Sequence, residues 1–523
     1  MAVCTHRFLA RATIEFVTGF RIGTGRGDHD SDAGIVTDAN GLALIPGTSL
    51  TGVLRETMRN ETHAEPGEGI GLNSDRPAET DSFARLFGFQ GRARTRDEPP
   101  DGQGSRLSVD NGHVHDRENR PTKGLLDFGR IAEDEILAAA LSPERRHHVR
   151  LSRDGAVDGD GKFDERVCPA GLRFTFDLEL EGREIDTAPW ERLLSTLARG
   201  TFRIGGGQRR GLGRFKCIGL RARSFDLVHS DCDWEDFVTW SRSPEVPADL
   251  LRDVVQEFGE SNSKTSRSAE AAARLVIELP IRPKAYWMFG GGDDPDGADI
   301  APARTRRVVW PSTGPELQEC FLIPFSSVKG SLRHRTAFYL NKRRKVFADT
   351  LTKDQLDQLD GLSHPAVGRL FGRKNHHRQE DSGQPGSLQG NDIYLPVSAW
   401  TTRQQAVPHV AIDPLTGGAI SGALFHEKPF WSDGEAARYP PLRLEVTDTR
   451  IFDDDLELAE SLALALQDLA TGHLPLGNGS GRGLGRFEID ANPSSQQEVL
   501  DRCLAPLAAW ARASTAAEHP GTA

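Results

Sequence analysis

Gly205-Gly206-Gly207-Gln208-Arg209-Arg210-Gly211-Leu212-Gly213-Arg214-Phe215 and Gly477-Asn478-Gly479-Ser480-Gly481-Arg482-Gly483-Leu484-Gly485-Arg486-Phe487 are nearly one stretch written twice, and their last six residues are identical at an offset of 272. A glycine-rich run with interleaved arginines presents backbone N–H groups and cations together, the combination that an anionic phosphate chain requires. Two copies imply two such sites in one molecule.

Other landmarks return in the same order, which points to internal duplication. Ile45-Pro46-Gly47-Thr48-Ser49-Leu50-Thr51-Gly52-Val53-Leu54-Arg55 is echoed by Ile323-Pro324-Phe325-Ser326-Ser327-Val328-Lys329-Gly330-Ser331-Leu332-Arg333. Arg85-Leu86-Phe87-Gly88 is echoed by Arg369-Leu370-Phe371-Gly372. Each glycine run follows an amphipathic helical pattern, Pro189 to Arg199 and Leu456 to Ala470, that stops at a glycine suited to a C-terminal cap, Gly200 or Gly472.

The first copy opens with an apolar-alternating strand, Phe8 to Phe16, and a polar loop from Thr18 to Gly41. The Ile-Pro-Gly-Thr-Ser turn then leads into a helix through about Asn60, with Thr48 or Ser49 as its N-cap. Gly171 to Glu181 alternates at period two and reads as a strand. With the helix near 190 and strands around the glycine loop, the order is β-α-β-β-α-β, the ferredoxin-like arrangement. The second copy repeats it from Arg274, with strands near 274–283 and 441–448. The polar run Gly259 to Ser268 is a linker. The expected organisation is therefore α+β: a first domain over 1–262, including a linker helix region at 224–262, and a second over 263–523. Segments 64–80, 90–122 and 373–405 lack periodicity and read as long loops inserted into the cores.

Composition narrows the class. At 523 residues and 37% hydrophobic the chain can bury two large cores, and with no run of 18 apolar residues and no secretory start it reads as a soluble cytoplasmic protein with no membrane partner. Its six cysteines are scattered, with no Cys-x-x-Cys pair, so buried thiols are expected and zinc is not. The doublets His147-His148 and His376-His377 read as solvated loop residues. A net charge of −12 argues against indiscriminate nucleic-acid coating, yet Thr201 to Arg223 holds seven basic residues and no acid, and Lys329 to Lys345 adds a second basic block.

The Ile-Pro-Gly-Thr-Ser-Leu-Thr-Gly-Val-Leu-Arg turn, the Leu-Phe-Gly triplet and the late loop ending Arg-Gly-Leu-Gly-Arg-Phe, each occurring twice and in order, resemble the RAMP superfamily of CRISPR-associated proteins. The nearest likeness is to the backbone subunits of type III effector complexes, built on a modified ferredoxin-like or RRM-like core. The resemblance implies a tandem fusion of two such subunits that stacks along a guide CRISPR RNA, pairs it with target RNA, and meets other RAMP and large subunits. It implies RNA contacts from Ser49, Thr51, Arg55, Gly205, Gly206, Gly207, Arg209, Arg210 and Arg214 in the first copy. In the second it implies them from Ser326, Ser327, Lys329, Arg333, Gly477, Gly479, Arg482 and Arg486.

Family members carry an aspartate in the loop after the first strand that is needed for cutting target RNA. Asp32 sits best at that position and Asp299 is its counterpart, though Asp32 lies 13 residues before Ile45 and Asp299 lies 24 before Ile323. A second family feature is a thumb hairpin that wedges between base pairs, and Val149 to Val157 and Val410 to Ile420, leading to Phe163 and Phe425, look like it. The 2′-hydroxyl of RNA can attack the adjacent phosphorus when the backbone is held in line, and an aspartate can take its proton or hold Mg²⁺, an ion that needs only one or two protein carboxylates. Arg21, Arg26 or His29 are nearby helpers. Two other functions fit the pattern: a non-catalytic structural subunit, and a guide-processing endoribonuclease, for which His29 is the available histidine.

Overall fold

The computed structural model describes residues 4–518 apart from 26–33, 64–81, 91–101, 153–154, 243–249, 261–273, 293–296, 362, 374–382, 400–405, 432–438 and 492–494. His6–Phe16 sends Phe8, Ala10, Ala12, Ile14 and Phe16 to one face, all buried, because successive strand residues alternate sides. It pairs antiparallel with Arg173–Gly182 on one side and Phe215–Asp226 on the other, and Leu107–Val109 adds beyond Arg173–Gly182. The order across the sheet is thus the fourth of these strands in sequence, the first, the third, the second. Gly47–His63 and Thr187–Arg199 bring Leu50, Leu54, Trp190, Leu193 and Leu197 into the same core. The opposite face is closed by Leu250 and Leu251, with Phe237 and Trp240 of the Asp231–Arg242 helix, over Leu9 and Phe225.

The second half repeats the order with its first strand broken at Pro280. Leu275–Leu279 pairs with Leu442–Val446, Ile281–Pro283 pairs with Phe487–Ile489, and Leu388–Gly390 adds to the far side of Leu442–Val446. Phe325–Arg343, Leu456–Thr471 and Gln496–Glu518 cover it, burying Leu332, Leu462, Leu466 and Leu507.

Three expectations need correction. Segments 90–122 and 373–405 are not loops throughout: each supplies the second strand of its sheet, Leu107–Val109 or Leu388–Gly390. A strand of three residues carries one alternation, too little for a period to register. Thr48 and Ser49 lie inside the first helical turn, since the helix begins at Gly47, and the Gly47 N–H is met by Asn111 Oδ1 at 2.9 Å, 64 residues away. Phe325 N–H is met the same way by Asp392 Oδ1, at 2.9 Å. His148 is not a solvated loop residue but lies on the Glu144–Leu151 strand and faces a buried carboxylate.

The two halves dock through the first glycine loop. Arg203 donates to Gln389 Oε1 (3.1 Å) and Asn391 Oδ1 (2.7 Å), and Arg209 donates to the Gly386 carbonyl. Arg146 meets Asp392 at 2.5 Å, the Gly19 N–H reaches the Tyr394 hydroxyl at 2.7 Å, and Ala170 packs among Ala303, Cys320, Leu322 and Tyr394. Among the described residues no helix is long and apolar enough to cross a membrane.

Candidate nucleic-acid interface

A β-hairpin rises from each half. In the first, Glu144–Leu151 pairs with Val157–Val167; in the second, Val407–His409 pairs with Phe425–Glu427 and the Ile412–Ala419 bridge carries it outward. Val149, Leu151 and Val157 on the first and Val410, Ile412 and Leu415 on the second are exposed, Leu415 by 95%. Apolar side chains left in water at the ends of two equivalent hairpins are surfaces that need a partner.

At the foot of each hairpin the same four side chains meet. In the first half Arg210 of the glycine loop bonds Glu165 at 2.5 Å, His148 lies 2.9 Å from the same carboxylate, and Phe163 stacks on His148 beneath the Arg210 guanidinium. In the second, Arg482 bonds Glu427 at 2.6 Å, His409 lies 2.8 Å from it, and Phe425 stacks on His409 beneath Arg482. Both carboxylates are buried, so they require cationic partners. Burial works to raise the Glu165 carboxyl, but the hydrogen bond from His148 and the Arg210 charge prevail and hold it at about 2. Arg21 adds a third contact to Glu165 at 2.7 Å, whereas the matching position in the second half is Met288. Each quartet ties its hairpin to its glycine loop.

The glycines serve close approach of chains. Gly205 and Gly477 have φ of +89° and +82°, and a Cβ on either would strike the carbonyl of Arg21 or Met288. The N–H groups of Gly206 and Gly213 are taken by the carbonyls of Arg21 and Gly19, and those of Asn478 and Gly485 by Met288 and Tyr286. These four N–H groups are spent within the chain, and of the loop arginines Arg482 and Arg486 stand exposed.

The predicted contact residues divide by burial. Lys329 is 9% exposed, gives its ammonium to the carbonyls of Arg209 (3.2 Å) and Leu388 (2.9 Å), and burial with neighbouring Arg209 and Arg333 pushes its pKa down to about 7. Arg333 donates to the carbonyls of Gly361 and Gly372, and burial lowers it to about 10. Arg209 and Arg214 are half-buried at the junction of the halves and Gly207 is half-buried in its loop; Ser49, Ser326 and Ser327 lie in the first turns of their helices and Thr51 and Arg55 further along the first of them, all at intermediate exposure. Thr51 Oγ1 donates to the Gly47 carbonyl and Arg55 lies over Phe83. Gly477, Arg482 and Arg486 stand exposed, since among the described residues nothing covers the second loop as the second half covers the first.

Asp299 lies beside the second hairpin foot. Its Oδ2 accepts the His426 N–H at 2.7 Å and lies 3.5 Å from His426 Nδ1; the backbone bond chiefly, with the imidazole, holds the carboxyl below its ordinary range. Asp32, Arg26 and His29 lie outside the described residues. The register still relates the two aspartates: Gly23 bridges Ile35 and Gly290 pairs Pro302, with Asp32 three residues before Ile35 and Asp299 three before Pro302. Among the described residues no group of three His, Cys, Asp or Glu side chains is placed to hold a metal ion. A Mg²⁺ ion at Asp299 fits only as one shared with the phosphates of a bound nucleic acid, which is the sparse ligation that ion accepts.

Sequence reasoning overlooked Glu165, Glu427 and His409, and read His148 as a solvated loop residue. A signal existed: Phe163-Asp164-Glu165 and Phe425-His426-Glu427 are both Phe-x-Glu, placing ring and carboxylate on one strand face.

The family model of the RAMP superfamily matches residues 13–216 and 310–488. The two matches cover most of the chain, one in each half, and leave Asp299 between them. No curated protein matches the chain.

Proposed function

Because the chain belongs to the RAMP superfamily, we propose that it is a guide-RNA-binding backbone subunit of a type III CRISPR effector whose two units each cut the target RNA paired to the guide. RAMP proteins bind RNA and act in multi-subunit CRISPR complexes. The observation that carries the reading is Asp299, a solvent-facing carboxylate fixed at the foot of an apolar-tipped hairpin. The fourth-first-third-second strand order in both halves supports two ferredoxin-like units. The open second glycine loop supports a further subunit stacked beyond it.

In this reading exposed hairpin residues such as Leu415 enter the guide–target duplex and unstack a base pair, which frees one target nucleotide to swing into line for attack by its own 2′-oxygen. Asp299 Oδ1, the oxygen not engaged by the His426 N–H, accepts the 2′ proton. Mg²⁺, when bound by Asp299 and RNA together, would supply further neutralisation of the phosphate oxygens. Base pairing sets specificity, while the protein contributes backbone contacts.

The test is to assemble the chain with guide and partner subunits and offer complementary RNA with a single 2′-deoxynucleotide at the cut position. Loss of that cut alone, with cutting elsewhere intact and none of a scrambled RNA, supports the reading; cutting of the deoxy substrate at the normal rate contradicts it.

A further inference from the structure

The two hairpin feet match at arginine, glutamate, histidine and phenylalanine, yet they differ at the residue between phenylalanine and glutamate. In the first half this residue is Asp164, which pairs with Arg145, its guanidinium more than half exposed. In the second it is His426, whose backbone N–H and Nδ1 both turn to Asp299. Strand alternation puts position 426 on the face opposite Phe425 and Glu427, so His426 is apart from the His409–Glu427–Arg482 cluster. Both side chains of the pair are open to solvent, 58% for Asp299 and 42% for His426, as a pair that meets a large substrate must be.

We propose that His426 is the proton donor to the leaving 5′-oxygen in the cut made by the second unit. The proposal rests on the cleavage reading above. With Nδ1 toward the Asp299 carboxylate, the imidazole ring is oriented and its Nε2 is directed away from that carboxylate. As the 2′-oxygen bonds to phosphorus, its proton passes to Asp299 and the P–O5′ bond breaks. The electron pair stays on O5′, which takes the Nε2 proton. The products are a 2′,3′-cyclic phosphate and a 5′-hydroxyl, and solvent resets both side chains. In the first unit Asp164 takes the place of His426, paired with Arg145 and with His147 opposite it on the neighbouring strand.

The experiment uses the assembled complex and target RNA carrying, at one cut position at a time, either the natural linkage or a 5′-bridging sulfur. A thiolate leaves without being protonated, so sulfur removes the need for an acid. Asp299→Ala first identifies which cut belongs to the second unit. His426→Gln should slow that cut about 100-fold on the natural linkage, recover to within a few-fold of wild type on the sulfur linkage, and leave the other cut unchanged. If His426→Gln cuts the natural linkage at the wild-type rate while Asp299→Ala does not, the donor role is wrong and the cleavage reading stands. Equal slowing on both linkages makes His426 structural and also overturns the proposal. Normal cutting by both variants removes the cleavage reading beneath it.

Discussion

Asp392 holds two things at once: one carboxylate oxygen accepts the Phe325 N–H at the head of the Phe325–Arg343 helix, and the other meets Arg146 of the first unit's hairpin at 2.5 Å. Asp392 is buried and Arg146 nearly so. Burial alone would disfavour the Arg146 charge, but Asp392 overrides it and keeps the guanidinium above its ordinary range. The cap of a second-unit helix is therefore also the anchor of the first unit's hairpin.

Asp392→Ala removes a helix cap and strands a buried cation together. Breaking a buried pair from one side costs about 3–5 kcal/mol, and loss of a cap about 1 kcal/mol more. Asp392→Asn, which copies Asn111 of the first unit, keeps the cap and should be the milder change. Thermal unfolding of the two variants and of Arg146→Ala with Asp392→Ala checks this; the double variant should be less damaged than the sum of the singles.

Gly211 and Gly483 are equivalent by sequence, but only one is enclosed. Both have positive φ, +109° and +86°; a Cβ on Gly211 would run into Asp392 Oδ1, and one on Gly483 would meet nothing within 4 Å. Gly483→Ala should cost on the order of 1 kcal/mol from backbone strain. Gly211→Ala should cost several-fold more and loosen the junction, seen as a larger drop in unfolding temperature.

Glu165 titrates far below its ordinary value of 4.5, at about 2. A carboxyl whose folded pKa is depressed stabilises above its unfolded pKa, and the gain is lost as pH falls through the folded value. Glu165→Gln should therefore lower the unfolding temperature strongly at pH 7, with the gap to wild type narrowing from about pH 4.5 toward 2. Glu427→Gln should be milder, because Arg482 and His409 contact that carboxylate without a counterpart of Arg21.

Lys329 runs the other way. Its pKa falls from 10.5 to about 7, so between these values the unfolded chain binds the extra proton and stability rises with pH. Relative to Lys329→Met, wild type should gain stability as pH climbs from 7 toward 10, measured as the difference in unfolding temperature. A difference that is flat with pH would show that the ammonium stays charged at the junction.

The duplication was legible because glycine, proline and arginine at fixed spacing survive in the text of the chain. The Gly200 and Gly472 caps, both left-handed with φ of +55° and +84°, stand where the sequence placed them. The second strands were hidden by their length, and the helix caps by distance along the chain, since Asn111 and Asp392 act from across the sheet. Lys329 and Arg209 were legible as basic residues but not as neighbours. Their mutual burial follows from how one unit sits on the next, which no local pattern encodes. The quartets were missed because each draws on three separate segments, although the repeated Phe-x-Glu was in view.

The measurement that tests the account most directly is a single-nucleotide map of target-RNA products from the assembled complex, for wild type, Asp32→Ala, Asp299→Ala and the double variant. Two cuts in wild type, a different one lost in each single variant and none left in the double is the predicted result. Both cuts persisting in the double variant would contradict the assignment of chemistry to these loops.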